Sequence, residues 1–178
     1  LDVVPDIKNK EKITKNNNHE GVVEFKNVNF KYPDSEGEFA LENISFKTHP
    51  GKVTAIIGST GSSKTTILNL ISRYYDVTDG EILVDNVNVK DYALEDLRNR
   101  IGYVPQKAFL FSGTIKDNIL YGKESATNEE VLHALEVAQI SDYVSGLDEG
   151  IMSPLFKKLE KHIPKFLTLL VSVFFIIN

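Results

Sequence analysis

The stretch AIIGSTGSSKTTILNLI, residues 55–71, constrains the fold of this chain more than any other part of the sequence. It is close to the pattern G-x-x-x-x-G-K-[ST], in which backbone N–H groups and a helix N-terminus surround a phosphate. The continuously apolar run before it, residues 53–57, predicts a strand buried on both faces. A helix with one apolar face is predicted after it. The apolar residues of this helix are Ile67, Leu68, Leu70 and Ile71.

One residue departs from this pattern, because Ser63 stands where the second glycine is expected. Glycine suits such a position, since the backbone often needs a positive φ or a close approach to the ligand. A serine Cβ would cost about 1 kcal/mol or more if the backbone keeps that geometry. The substitution therefore predicts weakened nucleotide binding. The competing interpretation is a Gly/Ser-rich strand-to-helix turn in which Lys64 is incidental.

The composition is that of a globular domain with a core of its own. The chain has 178 residues, of which 42% are hydrophobic and 25% are charged. A net charge of −5 without a basic stripe argues against a nucleic-acid partner. The absence of cysteine excludes disulfides and cysteine-ligated metals. Because the chain begins with Leu1, we expect it to be a stretch of a longer protein.

The remaining elements follow from local patterns. Residues 8–20, KNKEKITKNNNHE, predict a linker or a solvated loop. Strands are predicted in VVEFKNVNFKY, ALENISFKTH, GEILVDNVNV and IGYVPQ. Helices are predicted in ALEDLRNR, in SGTIKDNILYG from Thr114 with Asp117 in a partial capping box, and in TNEEVLHALEVAQ with a full box of Thr127 and Glu130.

Several stretches together resemble the nucleotide-binding domain of ABC transporters of the exporter type, over roughly residues 21–150. The matching stretches are VEFKNVNFKYP, ALENISFKTHPGKVTAIIGSTGSSKTT and, most specifically, DGEILVDNVNVKDYALEDLRNRIGYVPQKAFLFSGTIKDNI. LDVVPDI at the start is similar to the join between the last membrane helix and this domain. The resemblance implies an α/β fold. We expect a P-loop NTPase-like sheet of mainly parallel strands with an antiparallel β-subdomain, truncated before the C-terminal strands.

The resemblance also implies ATP and Mg²⁺ as cofactors and assigns the site residues. Tyr32 stacks on adenine, although an aromatic residue in a sheet core is the competing interpretation. Gln106 contacts Mg²⁺ and the attacking water, although a glutamine after a strand is by itself usually a solvated loop residue. Thr65 is the second Mg²⁺ contact. The residues that hold the triphosphate are Gly58, Ser59, Thr60, Gly61, Ser62, Ser63, Lys64, Thr65 and Thr66.

Three motifs that ATP hydrolysis needs in this family are absent from the sequence: LSGGQ, an apolar strand ending in Asp-Glu, and a switch histidine. Asp85 ends the run EILVD, but it lies in a stretch that resembles a different strand of the family. Asn178 ends VSVFFIIN, but an amide cannot take a proton from water. We therefore expect negligible ATP hydrolysis by this chain alone.

Domain organisation follows from the same resemblance. Residues 1–20 are expected to be a linker from a transmembrane domain, residues 21–152 a partial ATP-binding domain, and residues 153–178 a divergent basic and apolar tail. A frameshifted or read-through end is favoured for this tail over one that docks on a membrane surface. As a helix, its apolar run, residues 166–177, covers about 18 Å, which is short of a membrane span. The lysines that a docking tail would place near lipid headgroups are Lys157, Lys158, Lys161 and Lys165.

The leading functional hypothesis is the ATP-binding part of an exporter that moves a solute across a membrane. Its partners would be the transmembrane domain of the same transporter and a second nucleotide-binding domain, in a homodimer or heterodimer, at the cytoplasmic face of the membrane. The alternative is a non-catalytic remnant or regulatory module that binds a partner subunit. A third class, another P-loop enzyme such as a GTPase or small-molecule kinase, is disfavoured, because the GTPase motif N-K-x-D is absent and no D-x-x-G follows the loop.

Overall fold

The computed structural model describes residues 7–10, 13–33, 35, 37–103 and 110–155. The chain divides into two compact units, Leu1–Arg100 and Ile101–Asn178. No helix among the described residues is long and apolar enough to cross a membrane.

The first unit is built on a four-stranded antiparallel sheet, whose strands lie in the order β2 (Leu41–Lys47), β1 (Val23–Phe30), β3 (Asp79–Val84) and β4 (Val87–Asn88). The sheet buries Phe25, Val28 and Phe30 on the central strand, and Phe25 stacks on Phe46 with ring centroids 4.6 Å apart. The predicted antiparallel β-subdomain is therefore confirmed. Its elements are β1 (Val23–Phe30), β2 (Leu41–Lys47), α1 (Lys64–Ile71), β3 (Asp79–Val84), β4 (Val87–Asn88), a 3-10 turn (Val89–Asp91) and α2 (Leu94–Arg98).

A bulge in β1 requires a glycine on the neighbouring strand. The pairing of β1 with β3 shifts register between Lys26 and Asn29, and Asn27 has a φ of 47°. A Cβ at Gly80 would lie 2.4 Å from the carbonyl oxygen of Asn27, and Gly80 itself has a φ of 80°. Only glycine meets both conditions, because it has no Cβ. This bulge increases the local twist of the strand.

Helix α1 buries one face and is held at its C-terminal end by an arginine. Ile67 and Leu70 are buried, whereas Leu68, which was predicted on the same face, is 41% exposed. Arg98 donates from Nε to the carbonyl of Ser72 and from Nη2 to the carbonyl of Arg73, both at 3.3 Å. A positive charge there complements the partial negative charge of the helix C-terminus. The helix is therefore fixed at the end opposite the Gly/Ser loop.

Asp85 stabilises the turn after β3. Its Oδ1 accepts a hydrogen bond of 2.9 Å from the backbone N–H of Val22, and its Oδ2 lies 3.5 Å from Nη1 of Arg100. Both side chains are largely buried. Asn16 donates to the carbonyl of Asp85 at 3.0 Å and to the hydroxyl of Tyr92 at 2.7 Å, so polar residues of the N-terminal segment pack on this unit. Burial raises the pKa of the Tyr92 hydroxyl, which donates to the Val84 carbonyl.

The prediction of a buried strand at residues 53–57 is wrong. The segment is not part of a strand, and Val53 and Ile57 are 99% and 93% exposed. A strand buried on both faces needs a paired strand at its side and cover on each face. Both sheets formed by the described residues are antiparallel, and neither includes this segment. In IGYVPQ, residues 101–103 form no strand, and residues 104–109 lie outside the described part of the chain.

Two of the short helices among the described residues of the second unit begin with the predicted capping boxes. Thr114 accepts from the N–H of Asp117 at 3.0 Å, and Asp117 accepts from the N–H of Thr114 at 2.8 Å, so this capping box is complete rather than partial. Thr127 and Glu130 form the second box, with bonds of 3.2 and 2.8 Å. The elements are β5 (Gly113–Thr114), α3 (Ile115–Leu120), α4 (Asn128–Val137), α5 (Ser141–Ser145), a 3-10 turn (Gly150–Met152) and β6 (Pro154–Leu155).

The core of the second unit draws on three helices and one short strand. β5 pairs antiparallel with β6, a contact that no local pattern predicts, and Leu155 is buried in the core. Asn118 is buried and bonds through its side chain to the backbone of Phe111 and Thr114, at 2.8 to 3.0 Å. The apolar residues of this core are Ile115, Ile119, Val131, Leu135, Ala138, Ile140, Val144 and Leu155.

Leu135→Ala is expected to destabilise the second unit by about 2–5 kcal/mol, because it leaves a cavity in a packed core. Leu135 is 1% exposed, whereas Leu132, on the same helix, is 50% exposed. Leu132→Ala is therefore the matched control and should change the free energy of unfolding by less than about 1 kcal/mol. Urea unfolding followed by circular dichroism measures both. Equal losses for the two variants would contradict the assigned core.

The capping box of α4 is expected to weaken at acid pH. The Lys123 side chain and the backbone N–H of Thr127 hold the pKa of Glu130 below its usual range. A carboxylate with a lowered pKa adds stability above its unfolded pKa and loses it as the pH falls through its folded pKa. Stability should therefore fall as the pH drops below about 5 and passes through the lowered folded pKa of Glu130.

Glu130→Gln should make this fall shallower, because an amide does not titrate. Glu129→Gln is the control, since it removes a carboxylate from the same helical turn and leaves the capping box intact. Thermal unfolding across this pH range measures the difference. A Glu130→Gln profile that superimposes on that of the parent would contradict the role of Glu130.

Candidate functional site

The Gly/Ser loop turns sharply into α1 through a left-handed residue. Ser62 donates its backbone N–H to the carbonyl of Ser59 at 3.2 Å, and Gly61 has a φ of 84°. Ser63, the N-cap of α1, has φ 55° and ψ 21°. This is the left-handed region that glycine adopts without a Cβ penalty. The backbone thus has the conformation for which the phosphate-loop pattern uses glycine, although the residue is serine.

The loop wraps around the ammonium of Lys64. Its Nζ donates to the carbonyls of Gly58 and Ser59 at 2.8 and 2.5 Å, and to the hydroxyl of Ser62 at 3.0 Å. Ser62 Oγ in turn donates to the carbonyl of Ser59 at 2.8 Å. The positive charge therefore lies inside the curl of the loop, against neutral acceptors. An anionic oxygen is a stronger acceptor for an ammonium than a carbonyl is.

The loop leaves its backbone open, and a side chain at its first glycine would displace the hydroxyl of Ser62. A Cβ at Gly58 would lie 2.4 Å from Ser62 Oγ. Residues 51–62 are exposed along the whole approach to α1. An open backbone, a lysine inside the loop and the N-terminus of an eight-residue helix are the features that bind a phosphate. The residues present therefore fit a phosphate group.

Tyr32 lies against the first turn of α1. Its hydroxyl is 2.9 Å from Oγ1 of Thr66, and either oxygen can donate. The half-buried ring packs edge-on with Phe30 and Tyr75, at centroid distances of 4.8 and 5.1 Å. Thr66 is buried and Thr65 is exposed. The structure therefore places Tyr32 against α1 and in contact with Tyr75. No spacing in the sequence indicates the contact with Tyr75.

The predicted Mg²⁺ contacts stay predictions. Of the two predicted contacts, Thr65 has an exposed side chain and Gln106 lies outside the described residues. Among the residues that the structure describes, no group of three or more His, Asp or Glu side chains is placed to hold a metal ion. Asp85, the carboxylate at the end of EILVD, is engaged by Arg100 and by the backbone of Val22.

Residues 41–154 match the family described as ABC transporter, and this range includes the loop and α1. Over 130 residues the chain is 46% identical to an ABC transporter ATP-binding protein of Bacillus subtilis that has no characterised function. Over 131 residues it is 43% identical to a Staphylococcus aureus protein whose name describes multidrug export and an ATP-binding/permease chain. These matches cover 73% and 74% of this chain and 22% of each relative.

The fold of the chain is similar to that of a solved transporter structure. A bacterial Atm1-family ABC exporter with ATP bound superimposes with a TM-score of 0.83 at 29% sequence identity. The match covers 95% of this chain and 30% of that one. The chain thus spans less than a third of the length of the relatives it matches. Sequence and structure agree, and the chain belongs to the ABC transporter family.

Proposed function

We propose that this chain is the ATP-binding part of an ABC exporter, which couples ATP to the movement of a solute across a membrane. The observation that carries the proposal is the loop around Lys64, whose ammonium lies against the carbonyls of Gly58 and Ser59 at the start of α1. An anion that displaces these carbonyls gains a charge-assisted bond from Lys64 and faces the helix N-terminus. This chemistry fits a triphosphate better than it fits an incidental turn.

In this proposal the loop forms a P-loop, and its residues divide the binding between them. Residues 58–63 present backbone N–H groups to the phosphates, Lys64 supplies a positive charge, and Tyr32 stacks on the adenine. Thr65, whose side chain is exposed, would hold Mg²⁺, and Gln106 is the second proposed contact. Mg²⁺, when bound, neutralises charge on the phosphate oxygens.

The proposed partners and location come from the relatives. A Staphylococcus aureus relative is named as an ATP-binding/permease protein, which favours a transmembrane domain as partner. We also propose a second nucleotide-binding domain as a partner. The proposed location is the cytoplasmic face of a membrane. Residues 1–20 would be the linker to the transmembrane domain, residues 21–152 the partial ATP-binding domain, and residues 153–178 a separate tail.

Hydrolysis by this stretch alone is proposed to be negligible. Its sequence lacks the LSGGQ motif and the Asp-Glu strand end that activate and enclose the attacking water in this family. Asp85 is a poor substitute as a base, because its carboxylate is largely buried and is paired with Arg100. The left-handed Ser63 favours the second candidate function, a module that binds nucleotide weakly and acts by binding a partner subunit.

Lys64→Ala is expected to weaken ATP–Mg²⁺ binding at least tenfold, because it removes the one positive charge inside the loop. Lys52→Ala is the control, since it removes an exposed lysine that lies before the loop. Isothermal titration of parent and variants with ATP and with GTP gives the affinities and separates the exporter from a GTPase. Equal ATP affinity in the parent and Lys64→Ala would contradict the proposed site. A turnover rate that Lys64→Ala abolishes would contradict the proposed inactivity.

Ser63→Gly is expected to tighten ATP binding about fivefold. The reason is that bound ATP would restrict the loop to the left-handed φ that Ser63 has here, 55°, so that the strain of about 1 kcal/mol from its Cβ could no longer relax. Ser63→Ala is the matched control, because it keeps the Cβ and removes only the hydroxyl. If Ser63→Ala tightens binding as much as Ser63→Gly does, the hydroxyl rather than the backbone is responsible.

A further inference from the structure

The N-terminal segment lies along one face of the first unit. We call residues 8–10 and 13–19 the strap. They are polar, and their sequence predicts a linker or a solvated loop. They form no helix or strand, but they make hydrogen bonds to the first unit at several points. At the first of these points, the carbonyl of Lys8 accepts from Nη2 of Arg73 at 3.3 Å.

The early part of the strap contacts the 3-10 turn that follows β4 and the start of α2. Oδ1 of Asn9 accepts a hydrogen bond of 2.8 Å from the backbone N–H of Leu94, the first residue of α2. Thr14 donates its backbone N–H to the carbonyl of Asp91 at 2.8 Å. Lys10 forms an ion pair with the carboxylate of Asp91. These bonds fix the backbone of the strap and also satisfy an N–H group at the helix start.

Arg100 holds the later part of the strap. Its guanidinium donates to the carbonyls of Asn16 and Asn18. It lies 5.2 Å from the ring centroid of Tyr92 and 3.5 Å from Oδ2 of Asp85. Asn16 donates from its side chain to the carbonyl of Asp85 at 3.0 Å and to the hydroxyl of Tyr92 at 2.7 Å. Arg100 and Asn16 therefore form the densest group of contacts between the strap and the first unit.

Polar contacts hold the strap, and apolar burial contributes little. Ile13 is the one large apolar side chain among its described residues, and this side chain is 40% exposed. Each hydrogen bond adds little net stability, because water satisfies the same groups when the bond opens. The sheet, in contrast, buries Phe25, Val28 and Phe30. Opening of the strap should therefore require much less free energy than unfolding of the sheet.

We propose that the strap is a detachable device, held by Arg100 and Asn16, which docks on the first unit and releases without unfolding it. When fully extended, the chain from residue 8 to residue 19 spans about 40 Å. Release therefore lengthens the free chain before the sheet by up to this distance. If residues 1–20 connect to a transmembrane domain, docking sets how far the ATP-binding unit can move from it. Only this role as a tether rests on the proposed function.

Hydrogen exchange of the full chain without ligand tests the strap. The amide of Thr14 reports on the strap, the amide of Leu94 on the face that it covers, and the amides of β1 on the sheet. In the parent, Thr14 and Leu94 should exchange at least tenfold more slowly than unstructured amides and at least tenfold faster than β1. Exchange of Thr14 at the unstructured rate would overturn docking. Exchange at the rate of β1, with the same urea dependence, would overturn separate release.

Substitutions in the strap test which contacts hold it. Asn16→Ala removes the side-chain bonds of this residue and leaves the pair of Asp85 and Arg100 in place. It should accelerate exchange of Thr14 and Leu94 about tenfold and leave the amides of β1 within about twofold. Asn17→Ala is the matched control, because this neighbouring side chain is exposed, and it should exchange as the parent does.

Arg100→Lys should have an effect similar to that of Asn16→Ala. It keeps a positive charge near Asp85 but lacks the planar fork that reaches two carbonyls at once. Equal effects of Asn16→Ala and Asn17→Ala would overturn the role of Asn16. Acceleration at Thr14 without acceleration at Leu94 would show that the strap does not release as one element.

A distance measurement tests the change in reach. The chain contains no cysteine, so spin labels attach selectively to Lys8→Cys and Asp96→Cys, both at exposed positions. Pulsed electron paramagnetic resonance should give one main distance in the parent and a larger population of longer distances after Asn16→Ala. An unchanged distribution would overturn the proposed lengthening. These experiments use no nucleotide, so a parent that fails to bind ATP would contradict the proposed function and leave the strap standing.

Discussion

The packing of α1 on the antiparallel sheet is the constraint on which the candidate site depends. Ile67 and Leu70 are buried on this helix, and each contributes roughly 1.5–3 kcal/mol. The left-handed backbone at Ser63 costs about 1 kcal/mol for a residue with a Cβ. The free energy gained by burying these two side chains exceeds the strain at Ser63. The helix therefore keeps its position, and the loop keeps its turn, although serine replaces glycine. A sequence can thus depart from the phosphate-loop pattern and retain its geometry.

Electrostatics at the two ends of α1 support the same arrangement. At the C-terminal end the guanidinium of Arg98 contacts the carbonyls of Ser72 and Arg73 and lies 5.0 Å from the Tyr74 ring. At the N-terminal end the ammonium of Lys64 is held by the loop rather than by the helix. One charge therefore stabilises the helix, and the other is the charge that the proposed site would offer to an anion.

Local patterns predicted those parts of the structure that local physics determines. The strands of the antiparallel sheet, α1 and both capping boxes follow from periodicity and from hydrogen bonds within four residues. The prediction of a strand at residues 53–57 was wrong, because a strand forms only beside a partner strand. The periodicity of the sequence does not show whether such a partner is present. The contact between Tyr32 and Thr66 joins residues 34 positions apart, so neither the motif nor its spacing could indicate it. The burial of Leu155 in the core of the second unit was not predicted either, because it depends on the pairing of β6 with the distant strand β5.

The three acceptors around Lys64 have a kinetic consequence. The ammonium bonds to two carbonyls and to one hydroxyl, and all of these bonds belong to the loop itself. An incoming anion meets a lysine whose donors are already engaged, so first encounter and full capture are separate events. The observed association rate should then level off at high ligand concentration, where release of the side chain from the loop limits it. If the proposed site binds a nucleotide, the hydroxyl of Ser62 should therefore influence the rate of capture as well as the affinity.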